Sequence, residues 1–260
     1  APAAKLRRLA ARDARVWRLA EGYVTITAGL LGELERRYGP RPHTAVVPDG
    51  TALGAPLPDP STESDRPFTI GYAGHLYPWK GVEMIIEAAL ALPDARALIV
   101  GGHDREPDLE RLKVYARDLD CADGVEFTGA VPPADVARHL ARADALVLPN
   151  RRSAISDRFT SPLKLFEYMT AGRPIVASDL PSIREVLTHE RNALLAEAGN
   201  PHAFVAAITR LKDDRALGAR LAAQARADVV DYTWAKRAER LDAFFETITT
   251  GGADPRGAPR

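Results

Sequence analysis

The sequence is poor in cysteine, carries no net charge and has no long apolar run. One cysteine, Cys121, stands among 260 residues, which excludes an internal disulfide framework and fits a reducing compartment. With nothing nearby to lower its pKa, Cys121 reads as a packing residue. Lys+Arg and Asp+Glu both number 35, a balance that argues against a general nucleic-acid binder or a polyanion-binding surface. No apolar stretch approaches the ~20 residues of a membrane span. No cleavable signal pattern is found, so the expected location is the cytoplasm. Signatures of common chemistries are missing as well. The G-x-x-x-x-G-K-[ST] and G-x-G-x-x-G spacings are absent, as are G-x-S-x-G, H-E-x-x-H and any Ser/His/Asp set that spacing supports. His103 and Asp104 find no partner at metal-ligand spacing, so no metal is expected. There is no internal repeat of fixed period.

What is there is a globular composition, 46% hydrophobic and 27% charged, with length enough for a substantial core. The first residue, Ala1, reads as the start of a piece of a longer protein. Residues 3–21 are helical by composition. Leu6, Leu9, Val16 and Leu19 form an apolar stripe with Lys5, Arg7, Arg8, Arg12, Arg15 and Arg18 around it. Two readings stand: a helix packed on a partly missing domain, which is preferred, and a basic amphipathic helix on an anionic membrane. Strands are expected at 23–27 and 44–47, on either side of a helix at 29–38 that Gly39-Pro40 ends. Residues 54–67, rich in Pro, Ser, Asp and Gly and without an apolar period, read as a linker.

From residue 68 the pattern alternates. Strands are expected at 68–72, 95–100, 125–128, 144–148, 174–177 and 192–195. Helices are expected at 81–92, 107–119 and 132–141, in a stretch beginning near Ser161, and in a short piece at 182–187. Three more follow at 201–211, 213–229 and 234–248, with a disordered tail from 251. Strands such as "ALIV" and "ALVL" are apolar throughout, as when helices cover both faces of a parallel sheet. The fold class is therefore α/β, a Rossmann-like parallel sheet with helices on both faces, plus a partial α/β segment at the amino end. Such sheets bind ligands outside the carboxyl ends of their strands.

The first of those ends is "GYAGHLYPWKG". Gly71 and Gly74 let backbone approach a ligand, Lys80 stands before the next helix, and His75 can donate to a phosphate oxygen; the plainer reading is a solvated Lys and an exposed His. At the second end, Gly101 and Gly102 either make room for a ligand or turn the chain tightly. At the third, Gly129 to Val131 offer backbone groups to a base or form a plain turn. The fourth, "LPNRRSAISDRFTSP", is long for such a connection, and long loops here tend to be functional. Asn150, Arg151 and Arg152 can reach phosphate or sugar, or be solvated.

The stretch "FTSPLKLFEYMTAGRPIVAS", residues 159–178, reads as a helix and a buried strand. Ser161 is the expected N-cap and Pro162 the first helical residue; Gly172 and Pro174 end the helix. At about 100° per residue, Leu163, Leu165, Phe166 and Met169 share the core face, with Lys164, Glu167 and Tyr168 on the other side. A helix start offers unpaired N–H groups and partial positive charge, which suits a phosphate. Lys164 adds a formal charge, and Glu167 can accept from sugar hydroxyls. An ordinary amphipathic helix with a Lys/Glu pair on its wet face is the alternative.

In this order, "YAGHLYPWKGVEMIIEA", "VEFTGAV", "ARADALVLPN", "SPLKLFEYMTAGRPIVASDLPSIREVL" and "YTWAKRAERL" resemble the retaining GT-B glycosyltransferases of family four. The resemblance implies a nucleotide-diphospho-sugar donor gripped without metal or other cofactor. Lys80 and His75 would stabilise the leaving diphosphate, His75 standing where the family often has Arg. The amides of Leu163 and Lys164 would hold that diphosphate, Glu167 the ribose, and Gly129 to Val131 the base, with Gly74, Asn150, Arg151, Thr160 and Ser161 completing the donor site. Two departures stand out. The first Glu of the family's paired-Glu motif is replaced by Phe159, leaving Thr160, Ser161 or Asp157 to contact the donor sugar. The amino-terminal acceptor domain is reduced to a remnant, 1–53, followed by the linker 54–67, a donor domain at 68–230, a returning helix at 231–250 and the tail 251–260. The expected activity is retaining glycosyl transfer to an unspecified acceptor, with this chain half an enzyme completed by a missing domain or partner chain. A nucleotide-sugar-binding subunit and an epimerase of similar fold are the alternatives. A peripheral contact at the inner membrane face is the second reading of helix 3–21.

Overall fold

The computed structural model describes residues 3–58, 66–103 and 107–251. The amino-terminal part is α1 (Ala3–Leu19), β1 (Tyr23–Thr25), α2 (Ala28–Tyr38) and β2 (Thr44–Val46). β1 and β2 pair in parallel, Tyr23 opposite Thr44, so α2 is their crossover. Thr27 caps α2, its hydroxyl accepting from the Leu30 amide at 3.1 Å. The apolar stripe expected on α1 is not the buried face. Leu6, Leu9, Val16 and Leu19 are exposed, while Ala14 and Trp17 are buried. Trp17 decides the orientation. Its indole N–H donates to Gly39 O at 3.0 Å, its ring packs on Tyr23 at 4.9 Å, and the Arg41 guanidinium lies over it at 5.2 Å.

The larger part runs β3 (Phe68–Ala73), a 3₁₀ turn at Pro78–Lys80, α3 (Glu83–Ala91), β4 (Ala95–Val100), α4 (Pro107–Asp118), β5 (Val125–Gly129), α5 (Pro133–Leu140) and β6 (Ala145–Leu148). A π-type turn at Ile155–Phe159 precedes α6 (Leu163–Ala171), β7 (Ile175–Asp179), α7 (Pro181–Arg184), β8 (Leu194–Glu197), α8 (Pro201–Asp213), α9 (Arg215–Asp228) and α10 (Trp234–Gly251). The six strands form one parallel sheet in the order β5-β4-β3-β6-β7-β8, as the apolar runs imply. Alternate residues feed two cores. Ile70, Tyr72, Ile99 and Val147 pack with Ile85, Ile86 and Phe204 of α3 and α8. Ala73, Leu98, Val100 and Leu148 pack with Leu165, Phe166 and Met169 of α6.

Chain order reverses between β3 and β6, which are adjacent although distant in sequence. A crevice opens at the carboxyl ends of such a pair. The helix expected from residue 81 begins at Glu83, because Pro78–Lys80 forms its own turn and Gly81 follows at φ 68°. Gly81 has no room for a side chain, since a Cβ there would lie 2.1 Å from Pro149 O.

Of the stretch 54–67, residues 59–65 lie outside the described residues. Its first part follows the larger body: Leu57 N donates to Ala171 O at 3.0 Å, and Arg226 Nη2 to Gly54 O at 2.8 Å. α10 runs back over the amino-terminal part, where Arg237 Nη1 donates to Val47 O at 2.6 Å and also to Pro48 O. The α2 start faces α7, with the amides of Ala28 and Gly29 donating to the Glu185 carboxylate at 3.0 and 3.4 Å. Of the expected tail, residues 252–260 lie outside the described residues.

Candidate functional site

Three strand-end glycines build the crevice. Gly74 after β3 has φ 142°, and a Cβ there would lie 2.0 Å from Lys164 Cε; the Lys164 side chain runs across the bare backbone. Gly101 after β4 has φ 118°, and a Cβ there would meet Gly74 O at 2.4 Å. Both positions need glycine for conformation and for close approach. Gly74 N donates to Val100 O at 2.8 Å and Gly101 N to Gly129 O at 3.0 Å, which stitches the three ends together. Above them opens a pocket of about 730 Å³, whose walls include Gly74, His75, His103, Val131, Lys164 and Glu167.

The α6 start differs from expectation in three ways. The helix begins at Leu163, with Pro162 in extended backbone before it. Ser161 is not the cap; its Oγ accepts from the Asp49 amide at 3.0 Å, because the amino-terminal part reaches this turn. Leu163 is 46% exposed, whereas Tyr168 is fully buried. Tyr168 turns inward because its hydroxyl accepts from Ala73 N at 2.8 Å, tying α6 to the last residue of β3. Burial pushes the Tyr168 phenol well up, so it stays neutral. No side chain caps the helix, and among the described residues nothing accepts from the amides of Leu163 and Lys164. They are two of the open donors that every helix start carries.

Two lysines feel each other at this end of the sheet, Lys164 lying across Gly74. Burial, and after it the charge of Lys164, pushes Lys80 down to about 8. Its Nζ lies 3.9 Å from the centre of the Trp79 ring, a cation–π contact that offsets part of the lost hydration. Burial also lowers Lys164, while the Glu167 charge acts the other way. Among the described residues no carboxylate stands within 4.0 Å of either Nζ. A nearby negative charge would favour the charged form of either lysine.

The other expected contacts are scattered. Lys80 stands behind the pocket wall, coupled to it through Lys164. Gly129, at φ 68° with open space at its Cα, adjoins the wall through Gly101. Asn150 is buried off the wall. Arg151 points away, 3.7 Å from the Glu83 carboxylate, and Arg152 pairs with Asp157 at 3.6 Å. Thr160 Oγ1 donates to Ile155 O at 2.8 Å, closing the turn that ends at Phe159. Asp157 accepts from Ser153 N at 3.3 Å, so both of its polar contacts are local. Tyr168 and Trp79 were missed; no periodicity marks a tyrosine that turns inward through one hydrogen bond. Among the described residues no group of three His, Cys, Asp or Glu could hold a metal ion, and no helix is long and apolar enough to cross a membrane.

Over residues 67–214 the chain matches the family described as Glycosyl transferases group 1. It is similar to the amylovoran biosynthesis glycosyltransferase AmsK of Erwinia amylovora, 31% identical over 187 residues that cover 70% of this chain and 42% of AmsK. Among solved structures it is similar to sucrose-phosphate synthase from Thermosynechococcus elongatus, with TM-score 0.77 and 22% identity over 92% of this chain and 61% of that one. It is also similar to Anabaena Alr3699/HepE in complex with UDP, with TM-score 0.76 and 19% identity over 89% and 65%. The structural likeness is one of fold, a six-stranded α/β sheet matching GT-B glycosyltransferase structures. The chain spans about half the length of the curated relatives it matches.

Proposed function

The chain belongs to the group 1 glycosyl transferases, and from that premise we propose that it is the donor-binding half of a family-four enzyme that transfers a sugar from a nucleoside diphosphate with retention. The observation that carries the reading is the Lys80–Lys164 pair beside the open α6 start, two cations without a carboxylate. The diphosphate lies across Gly74 against the Lys164 ammonium group and the amides of Leu163 and Lys164, and the Lys80 charge acts on it from beyond the pocket wall. Glu167, exposed on the pocket wall, accepts from the ribose hydroxyls. The base rests near Gly129 to Val131. The UDP held by the Anabaena neighbour supports a nucleotide ligand of this class.

In the reaction, the bond from the anomeric carbon to the phosphate oxygen breaks and its electron pair leaves with the diphosphate. The acceptor oxygen bonds to the same face of that carbon, and its proton passes to the departing phosphate oxygen. Lys80, His75 and the α6 amides stabilise the growing negative charge, which is preorganised electrostatics. A second reading is a nucleotide-sugar-binding subunit completed by another chain.

Calorimetry against UDP, GDP, ADP and dTDP tests the site. One of them binds, and Lys164→Ala or Glu167→Ala weakens it by about 1.5–3 kcal/mol, the worth of a hydrogen bond to a charged group. Affinities unchanged within about 0.5 kcal/mol would end the assignment. A donor-hydrolysis assay on the same protein separates enzyme from binding subunit.

A further inference from the structure

The loop after β3 carries an aromatic ladder of which the donor reading uses only His75. The His75 and Tyr77 rings lie 8° from parallel with centroids 5.0 Å apart, and Tyr77 and Trp79 follow at 19° and 6.3 Å. Rings in full face contact bring carbon atoms to about 3.5–4.0 Å. At these wider centroid spacings the rings are not in full face contact, and Tyr77 stays part-exposed. His75 is exposed, as is Tyr77 at 38%.

The backbone beneath is held firmly. Leu76, between the first two rings, is fully buried. The Tyr72 hydroxyl donates to His75 O at 2.6 Å, Lys80 N to Tyr77 O at 2.8 Å, and Arg151 N to Trp79 O at 2.9 Å. The ladder is therefore preorganised and loses little freedom on binding. It begins at the pocket, where His75 stands on the wall with Gly74 and Lys164, and ends at the ring carrying Lys80.

We propose that His75, Tyr77 and Trp79 form a saccharide platform on which a pyranose ring of the acceptor stacks beside the bound nucleotide diphosphate. The proposal rests on the donor-site reading above. One face of a pyranose presents C–H groups that are apolar and slightly positive, and aromatic faces carry the negative part of the ring quadrupole. The sugar hydroxyls project from the rim and stay in water. The ladder, on the loop that follows β3 and starting at the pocket wall with His75, is where a second sugar can approach.

Tyr77→Ala and Tyr77→Phe test this without removing a buried group. The probes are methyl α- and β-pyranosides of glucose, mannose, galactose and N-acetylglucosamine, read by saturation-transfer NMR with the nucleoside diphosphate present. Wild type binds at least one pyranoside, Tyr77→Ala loses it at least fivefold, Tyr77→Phe keeps it, and nucleotide affinity stays within twofold in both. Three results would overturn the platform: a wild type that binds none of the pyranosides, a Tyr77→Ala that binds them as well as wild type, or a Tyr77→Ala that instead loses the affinity difference between nucleotide sugar and nucleotide. A wild type that binds no nucleotide diphosphate would defeat the donor-site reading itself, a separate result.

Discussion

The two edges of the sheet treat charge in opposite ways. At the amino edge, Asp144 is buried and fully engaged. Arg66 donates to it at 2.6 and 2.8 Å, Arg215 at 2.9 Å and the Thr69 amide at 2.8 Å. Burial alone would raise its pKa, but these bonds hold it below the usual carboxylate range. Nearby, Arg142 donates to Glu126 at 2.8 Å. At the carboxyl edge, Lys80 and Lys164 are partly buried with no carboxylate of the described residues at salt-bridge distance, only the Glu167 charge acting on Lys164, and Lys80 is pushed down to about 8. One edge uses charge to join β3 to β6; the other keeps charge unmatched at a cost to stability. In the proposed reading, the edge with loosely matched charge is the one that binds.

Mutations sharpen the contrast. The largest stability effect is expected at the matched edge. Asp144→Ala removes the carboxylate that Arg66, Arg215 and the Thr69 amide share and lowers stability by about 3 kcal/mol, read by urea unfolding, with nucleotide affinity unchanged in the folded fraction. Because the folded pKa of Asp144 is depressed, its contribution is present above the unfolded carboxylate value and is lost as pH falls below it. Equal stability losses from removing charge at either edge would break the comparison.

Tyr168→Phe comes next. It strips the acceptor from the buried Ala73 amide and costs about 1–3 kcal/mol; it also loosens α6 against β3, so nucleotide affinity falls with it. A stable variant with unchanged affinity would show that α6 is held by other means.

The pH-dependent effect of Lys80 is absent near neutral pH and is read only against rising pH. Its folded pKa lies below the unfolded value, so the free protein gains stability as pH rises from about 8 towards 10.5, where the unfolded chain binds more protons. Lys80→Met removes that slope and does not destabilise the free protein. Over the same range nucleotide affinity falls, by at most about tenfold per pH unit, and the variant loses this dependence as well. A flat wild-type affinity profile would separate Lys80 from the ligand.

Much of this was legible in the sequence, and for physical reasons. The unbroken apolar runs at 95–100 and 145–148 imply a sheet buried on both sides, and the structure contains one. Gly74 and Gly101 stood out as places where backbone is bare. What escaped depends on contacts between distant segments. Ser161 has every local feature of a cap, yet Asp49, 112 residues away, takes its oxygen. Tyr168 sits at a polar angle on its helix, yet one hydrogen bond to β3 turns it into core. On α1 the leucines form an apolar stripe that the structure leaves exposed, while Trp17 is buried with its indole donating to Gly39 O. Periodicity reports which face is apolar; it does not report which polar atom finds a partner.

The most direct test of the lysine pair as an anion site is the titration of the Lys80 side chain by NMR, with selectively labelled lysine and a Lys80→Arg control for assignment. In the free protein the account predicts a midpoint near 8, moving upward when the nucleoside diphosphate is added. A midpoint at the ordinary 10.5 that stays in place on adding the nucleotide would contradict it.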